Sequence, residues 1–323
     1  MRLGSTVFSA DAPIAEQRAA LLKVYQAGNY KDAYEGYRKL TLDKQNDPAQ
    51  VGSDLQMAIS CLASLGRVDE TDELRESAAT VHAGSWRATW GVAESYMNAE
   101  HMGFIVAGKF DRGHKRGGGK YVNSFDRDRV RSLQLFQAAL EKLKDDKGSD
   151  QRTKSDFYMA FSRMLMSNQG WNEAWRLQYL SNLAELPDYV DGWYRGRYGI
   201  GAPVGPDGQP IFYTVPKSYE AAKNDGERWR WCLLQALELS PARTNEVRWH
   251  LAEFSQNQFG EQTMAQYGYF FGRRGEDAIH RVALGEPDRL SRRPDHARQV
   301  PWQAADAEQR GAEPFGEHEG DGE

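Results

Sequence analysis

The strongest constraint on the fold is a helical spacing of apolar residues that recurs along most of the chain. Tyr30, Ala33, Tyr34, Tyr37 and Leu40 are placed so that an α-helix gathers them on one face. Similar stripes run over Leu55–Leu65, Val130–Leu143, Phe157–Leu165 and Trp229–Leu237. The first linkers between stripes are short, and helices joined by short linkers pack as antiparallel neighbours. We therefore predict an all-α fold built from helical pairs.

The first pair resembles a tetratricopeptide repeat between Tyr25 and Pro48. Gly28 permits the tight turn between the two helices, the small Ala33 allows them to approach closely, and Tyr37 fills the groove beside it. Weaker copies occur at Gly66–Thr71, Trp171–Ala174 and Gln235–Pro241. Because one helical pair cannot bury its own apolar face, the resemblance implies an irregular α-solenoid of stacked pairs.

Four segments depart from the helical pattern. Residues 1–13 are either a ragged N-terminus or the remnant of a secretion signal, since their apolar stretch is shorter than the about 7–15 residues that a signal needs. Residues 273–323 contain arginine but no lysine, with prolines along their length, and we predict a disordered tail or a frameshifted coding end. The helical-repeat domain then spans residues 14–272, and residues 101–125 and 192–216 are two long loop insertions.

The first insertion is glycine-rich and belongs to a basic stretch. Residues 109–131 contain eight basic and three acidic side chains, a local charge of +5. A phosphate-binding loop is excluded, because His114 stands where that motif needs glycine and Tyr121 where it needs serine or threonine. Two interpretations remain. The stretch binds single-stranded nucleic acid, or it folds over the solenoid with its arginines paired to Asp126 and Asp128. The net charge of −5 for the whole chain favours the second.

The second insertion contains a turn signal at Pro206–Gly208, with residues on either side that could pair as a hairpin. It is either a partner-binding patch or a segment packed against the next helix. The candidate partner-binding residues of the two insertions are Arg112, Lys115, Arg116, Lys120, Tyr121, Arg195, Arg197, Tyr198, Phe212 and Tyr213.

No arrangement of residues in the sequence indicates catalysis, a metal or a cofactor. The seven histidines are scattered without the spacing of metal ligands, and no Gly-x-Ser-x-Gly motif occurs. The two cysteines, Cys61 and Cys232, lie within apolar stripes and are predicted to be core residues. No apolar run reaches the about 18 residues that cross a bilayer, so we expect a soluble protein without a transmembrane segment.

A wider resemblance is to the alpha-2-macroglobulin family. Gly260–Met264 is similar to the tail of its thioester motif, but Phe259 replaces the cysteine, so no thioester can form; a match this short also arises by chance. Five stretches resemble the N-terminal helical segment of large bacterial members of planctomycete type: Asn29–Arg38, Phe104–Lys109, Gly117–Phe125, Ala174–Leu180 and Asp225–Trp231. The resemblance implies a truncated, extracytoplasmic relative without the bait and thioester domains, so protease trapping is not implied.

These observations favour a non-catalytic module that binds a protein or peptide partner through helical repeats. One alternative is a helical enzyme that acts on an anionic substrate between the two insertions, where Arg112, Lys115, Arg195 and Arg197 would gather. Another is single-stranded nucleic-acid binding through residues 109–131, which the acidic net charge disfavours.

Overall fold

The apolar stripes form helices, as their spacing predicts. The computed structural model describes residues 13–114, 118–167, 180–192 and 214–259, and this part of the chain contains nine α-helices and four β-strands. The helices are α1 (Ile14–Gln26), α2 (Tyr30–Thr41), α3 (Val51–Ser64), α4 (Thr71–Val81), α5 (Trp86–Glu94), α6 (Phe125–Asp145), α7 (Gln151–Met166), α8 (Asp225–Leu239) and α9 (Thr244–Phe259). The strands are β1 (Met102–Val106), β2 (Lys109–Arg112), β3 (Lys120–Asn123) and β4 (Val190–Asp191).

All described residues belong to one unit of the chain, Met1–Gln262; the rest of the chain, residues 263–323, lies outside them. The predictions for residues 1–12, for Trp171–Ala174 and for the tail from residue 273 also fall outside the described residues.

The turn and the close packing predicted for the first helical pair are present. Gly28 has a φ of +80°, a left-handed conformation that favours glycine, and it joins α1 to α2. Ala33 is fully buried, and Tyr37 and Leu40 are buried beside it. A second small residue, Gly36, brings the helices together, because a β-carbon there would overlap the side chain of Leu21. The pair therefore packs through small residues on α2.

A buried polar cluster fixes this pair to α3. The Asn46 side-chain amide donates hydrogen bonds to the carbonyl oxygen of Leu40 and to the carboxylate of Asp54, each at 2.9 Å. Arg18 on α1 donates from Nε to the same carboxylate at 2.9 Å. Asn46 and Asp54 are each only 2% exposed, so these bonds satisfy polar groups that would otherwise be costly to bury.

The four strands form an antiparallel sheet in the order β2-β1-β3-β4, with Gly103 paired to both Arg112 and Val122. The fold is therefore mostly helical but not all-α, and residues 101–125, predicted to be a loop, contain three strands. The physical reason is that the backbone N–H and C=O groups of a long folded segment need hydrogen-bond partners, which strand pairing supplies.

The core of the C-terminal helices is aromatic. Phe136, Phe157 and Phe161 are fully buried where α6 and α7 pack together, and the rings of Phe136 and Phe161 stack with their centroids 4.9 Å apart. The predicted stripes of α6 and α7 form this core. Cys61 and Cys232 are buried free thiols, which confirms their prediction as core residues.

Candidate functional site

Arg112, a predicted partner-binding residue, is an internal residue of the fold. Its guanidinium donates to the Asp72 carboxylate at 2.9 and 3.0 Å, to the Asp128 carboxylate at 2.7 and 2.9 Å, and to the carbonyl oxygen of Glu100 at 2.6 Å. The Arg112 side chain is 2% exposed and that of Asp128 is 6% exposed. The interpretation that arginines of this stretch pair with Asp128 is confirmed for Arg112. The prediction that Arg112 lies on a partner-binding surface is wrong, because each nitrogen of its guanidinium donates to an acceptor of this chain.

Hydrogen bonds outweigh desolvation in this cluster. Burial by itself opposes ionisation of the Asp128 carboxyl, but hydrogen bonds from His101, Arg112 and Ser124 hold its pKa well below the usual range. The His101 Nδ1 lies 2.7 Å from Asp128 Oδ2, and the Ser124 hydroxyl donates to the same oxygen at 2.7 Å. The Ser124 hydroxyl therefore bonds to a carboxylate and to the backbone carbonyl oxygen of His101 rather than to the imidazole, which is not the arrangement of a nucleophile with its base.

Other arginines of the basic stretch also form ion pairs with carboxylates of this chain. Arg129 pairs with Asp225 at 2.9 Å, with both side chains buried, and Arg131 pairs with Glu76 at 2.5 Å. Lys120 is exposed and pairs with Asp191 at 2.6 Å. Lys115 and Arg116 lie outside the described residues. The local charge of +5 is thus largely balanced by carboxylates from distant parts of the sequence.

The sheet carries two aromatic pairs, one on each face. The rings of Phe104 and Tyr121 lie 5.1 Å apart on one face, and those of Phe110 and Tyr189 stack at 4.4 Å on the other. A β-carbon at Gly103 would lie 2.6 Å from the Phe110 ring, so glycine at this position lets that ring cross β1. Tyr121 is therefore part of an aromatic pair on the sheet, as well as a predicted contact residue.

The start of the second insertion is joined to the first. The Asn123 side-chain amide donates to the carbonyl oxygens of Val190 and Gly192 at 3.1 and 2.9 Å, and the Gly192 N–H donates to the Tyr121 carbonyl oxygen at 3.0 Å. The remaining candidates of that insertion, Arg195, Arg197, Tyr198, Phe212 and Tyr213, lie outside the described residues.

A groove of about 610 Å³ opens where α3 crosses α5, with Thr153 at the start of α7 on its border. The crossing is close because two glycines face each other: a β-carbon on Gly52 would lie 2.7 Å from the α-carbon of Gly91. Side chains on either side of this contact then form the walls of the groove, among them Gln56, Trp90 and Glu94. The sequence analysis did not identify this groove.

The groove combines a rigid aromatic wall with a partly desolvated carboxylate. Trp90 stacks on Trp86 with the ring centroids 6.0 Å apart, and it packs edge-on against the core residue Phe157 at 5.9 Å. Burial raises the pKa of the Glu94 carboxyl. Arg163 and the nearby Trp90 N–H favour the ionised carboxylate, but their effect is smaller than that of burial. The Trp90 N–H makes no hydrogen bond of normal geometry. The Arg163 guanidinium approaches Glu94 only to 3.5 Å.

Within the described ranges, histidine, cysteine, aspartate and glutamate nowhere gather in a group of three or more that could hold a metal ion. In the same ranges, none of the helices has the length and apolar character needed to cross a bilayer. No protein-family model, curated protein or solved structure matches this chain.

Proposed function

We propose that this chain is a non-catalytic binding module in which tetratricopeptide-like helical pairs form a solenoid-type scaffold. The groove at the α3–α5 crossing holds an extended peptide segment of a partner protein. The observation that carries the proposal is the groove itself, about 610 Å³ in volume and bordered by three helices. Ligand sites in proteins commonly have volumes of about 300–1,000 Å³.

The residues of the groove suit a peptide. Trp90 offers a large ring that the core holds in place, and such rings are frequent anchors at interfaces. Gln56 and Asn98 offer amides that can both donate to and accept from a peptide backbone. The groove thus supplies one apolar anchor and several polar contacts, which is the usual composition of a recognition site.

A selection from a displayed peptide library, followed by titration of the enriched peptides, tests this proposal. Ser53 borders the groove on α3, and Ser53→Arg would fill the space beside it. We expect this substitution to weaken binding of the enriched peptides by about tenfold, which corresponds to about 1.4 kcal/mol. Ser64→Arg is the matched control, because Ser64 is an exposed serine of the same helix that does not border the groove. Equal affinities of the two variants, or no enriched peptide, would contradict the proposal.

We also infer a relationship to the N-terminal helical segment of bacterial alpha-2-macroglobulin-family proteins, and with it an extracytoplasmic location. The support is the set of similar stretches, of which Asn29–Arg38 covers most of α2 and Asp225–Trp231 begins α8. The nucleotide sequence on both sides of the coding frame tests this inference. We expect a secretion signal upstream and macroglobulin-type domains downstream; unrelated frames on both sides would refute it.

A further inference from the structure

We infer that the groove at the α3–α5 crossing recognises a basic side chain, a lysine or arginine of the bound peptide, between the carboxylate of Glu94 and the ring of Trp90. This inference rests on the proposed function and adds the chemistry of the ligand.

The first support is the electrostatic state of Glu94. Partial burial works against its ionised form, although 38% of its side chain is exposed; its ion-pair partner among the described residues, Arg163, lies 3.5 Å away with half of its side chain exposed. A contact of that length and exposure contributes little, because water competes for both groups. Glu94 is therefore a groove carboxylate that a ligand can reach, and a ligand cation would make a shorter, charge-assisted contact with it than Arg163 does.

The second support is the position of Trp90. Its ring borders the same groove as Glu94 and is held by Trp86 and Phe157, so it needs no reorganisation when a ligand binds. An indole ring attracts a nearby ammonium or guanidinium group through its negative face, and it also covers the aliphatic part of a long basic side chain. An aromatic ring beside a carboxylate is thus complementary to lysine and arginine.

An acidic ligand group fits less well, although Arg87 lines the groove and Arg163 lies beside Glu94. The Arg87 guanidinium already lies 5.4 Å from the centroid of the Trp86 ring, and Arg163 already faces Glu94. A ligand carboxylate would place a second negative charge near Glu94, and like charges at close range repel each other. Charge complementarity therefore selects the basic side chain.

The test uses the full chain and four blocked heptapeptides, acetyl-Gly-Ser-Gly-X-Gly-Ser-Gly-amide, with X as lysine, arginine, leucine or glutamate. The readout is the ¹H–¹⁵N resonance of the Trp90 indole, assigned by its loss in Trp90→Phe. We expect the lysine and arginine peptides to shift this resonance in a saturable way, and the leucine and glutamate peptides to leave it in place. Glu94→Gln should weaken the lysine peptide by about fivefold, whereas Glu35→Gln, at an exposed glutamate of α2, should not change its affinity.

Arg163→Gln gives a prediction of opposite sign. It removes the cation that competes for Glu94, so we expect the lysine peptide to bind more tightly. If the leucine or glutamate peptide shifts the Trp90 resonance as strongly as the lysine peptide does, or if Glu94→Gln has no effect, the inference is overturned while the peptide groove stands. If none of the four peptides shifts the resonance but peptides selected from a library do, the inference alone fails. If no peptide of any kind reaches the groove, the proposed function fails with it.

Discussion

Gly52 and Gly91 face each other where α3 crosses α5, so closely that a β-carbon on Gly91 would lie 2.6 Å from the α-carbon of Gly52. Atoms at that distance overlap, and the neighbour is backbone that cannot rotate away. The two glycines therefore set the separation of the helices, and both border the groove beside Trp90.

Gly91→Ala is expected to destabilise the protein. Alanine is a better helix former than glycine by about 1 kcal/mol, but overpacking at a tight contact costs about 1–3 kcal/mol. Because the contact is backbone to backbone, the steric term should dominate, with a net loss of about 1–2 kcal/mol. Urea unfolding measures the change. Gly84→Ala is the control, since a β-carbon there meets nothing within 4 Å; a Gly91→Ala protein as stable as this control would contradict the close crossing.

Arg112→Met should destabilise the protein by about 3–5 kcal/mol, because it leaves the Asp128 carboxylate buried without its main cationic partner. Arg112→Lys should fall between the wild type and Arg112→Met, since an ammonium group cannot reproduce the forked hydrogen bonds to Asp72 and Asp128. Chemical denaturation of each variant gives the free energies of unfolding.

The control for this prediction is Lys120→Gln on β3. Lys120 and Asp191 are 64% and 68% exposed, and exposed ion pairs contribute at most about 1 kcal/mol. If Lys120→Gln proves as costly as Arg112→Met, then burial does not decide the strength of the pairs in this sheet.

Stability should fall in acid, in part through Glu76. Burial opposes the ionised form of this carboxyl, but hydrogen bonds from Arg131 and the Tyr96 hydroxyl outweigh it, and its pKa lies below the usual value. The unfolded chain therefore binds more protons at low pH, so the stabilisation is complete above the ordinary glutamate pKa of about 4.3 and is lost as the pH falls below it. Urea midpoints measured from pH 6 to pH 3 should decrease, and both Glu76→Gln and Arg131→Gln should reduce that decrease. An unchanged pH dependence in both variants would refute this assignment.

Gly103→Ala should disrupt the stacking of Phe110 on Tyr189. The new β-carbon would overlap the backbone carbonyl oxygen of Asp111 and lie 2.6 Å from the Phe110 ring, and overpacking of this kind costs about 1–3 kcal/mol. We expect a lower urea midpoint and a weaker near-ultraviolet circular dichroism signal from the aromatic rings. Gly118→Ala, where a β-carbon meets nothing within 4 Å, should stay within about 0.5 kcal/mol of the wild type.

Periodicity was sufficient to predict α2, α3, α6, α7 and α8, because apolar residues three and four apart lie on one face of a helix. No such stripe was identified over α4 or α5. The stripe from Tyr30 to Leu40 lies on α2, and the stripe from Val130 to Leu143 lies on α6. The strands of the sheet were not predicted from a comparable periodic pattern in the sequence. Its strands have two to five residues, and β4 lies far along the chain from its partner β3.

The difference between local patterns and long-range contacts also explains why Arg112 was predicted to bind a partner and why the groove was missed. A local count of charges cannot show that Arg112 pairs with Asp72, which is 40 residues away. The groove likewise depends on a contact between α3 and α5, and neither Gly52 nor Gly91 stands out in the sequence until the two helices are packed. Features that depend on tertiary contacts were thus beyond the sequence alone.

The hydrogen bond from Asn123 to Gly192 has a consequence during protein synthesis, because the two residues are 69 positions apart. A ribosome that adds about 5–20 residues per second needs about 3–14 s to cover that distance. Strands β1 to β3 emerge together and can pair at once, but β4 arrives only after α6 and α7 have been translated. For those seconds the outer edge of β3 has no neighbouring strand, and a pause in translation there leaves it open to pairing with another nascent chain.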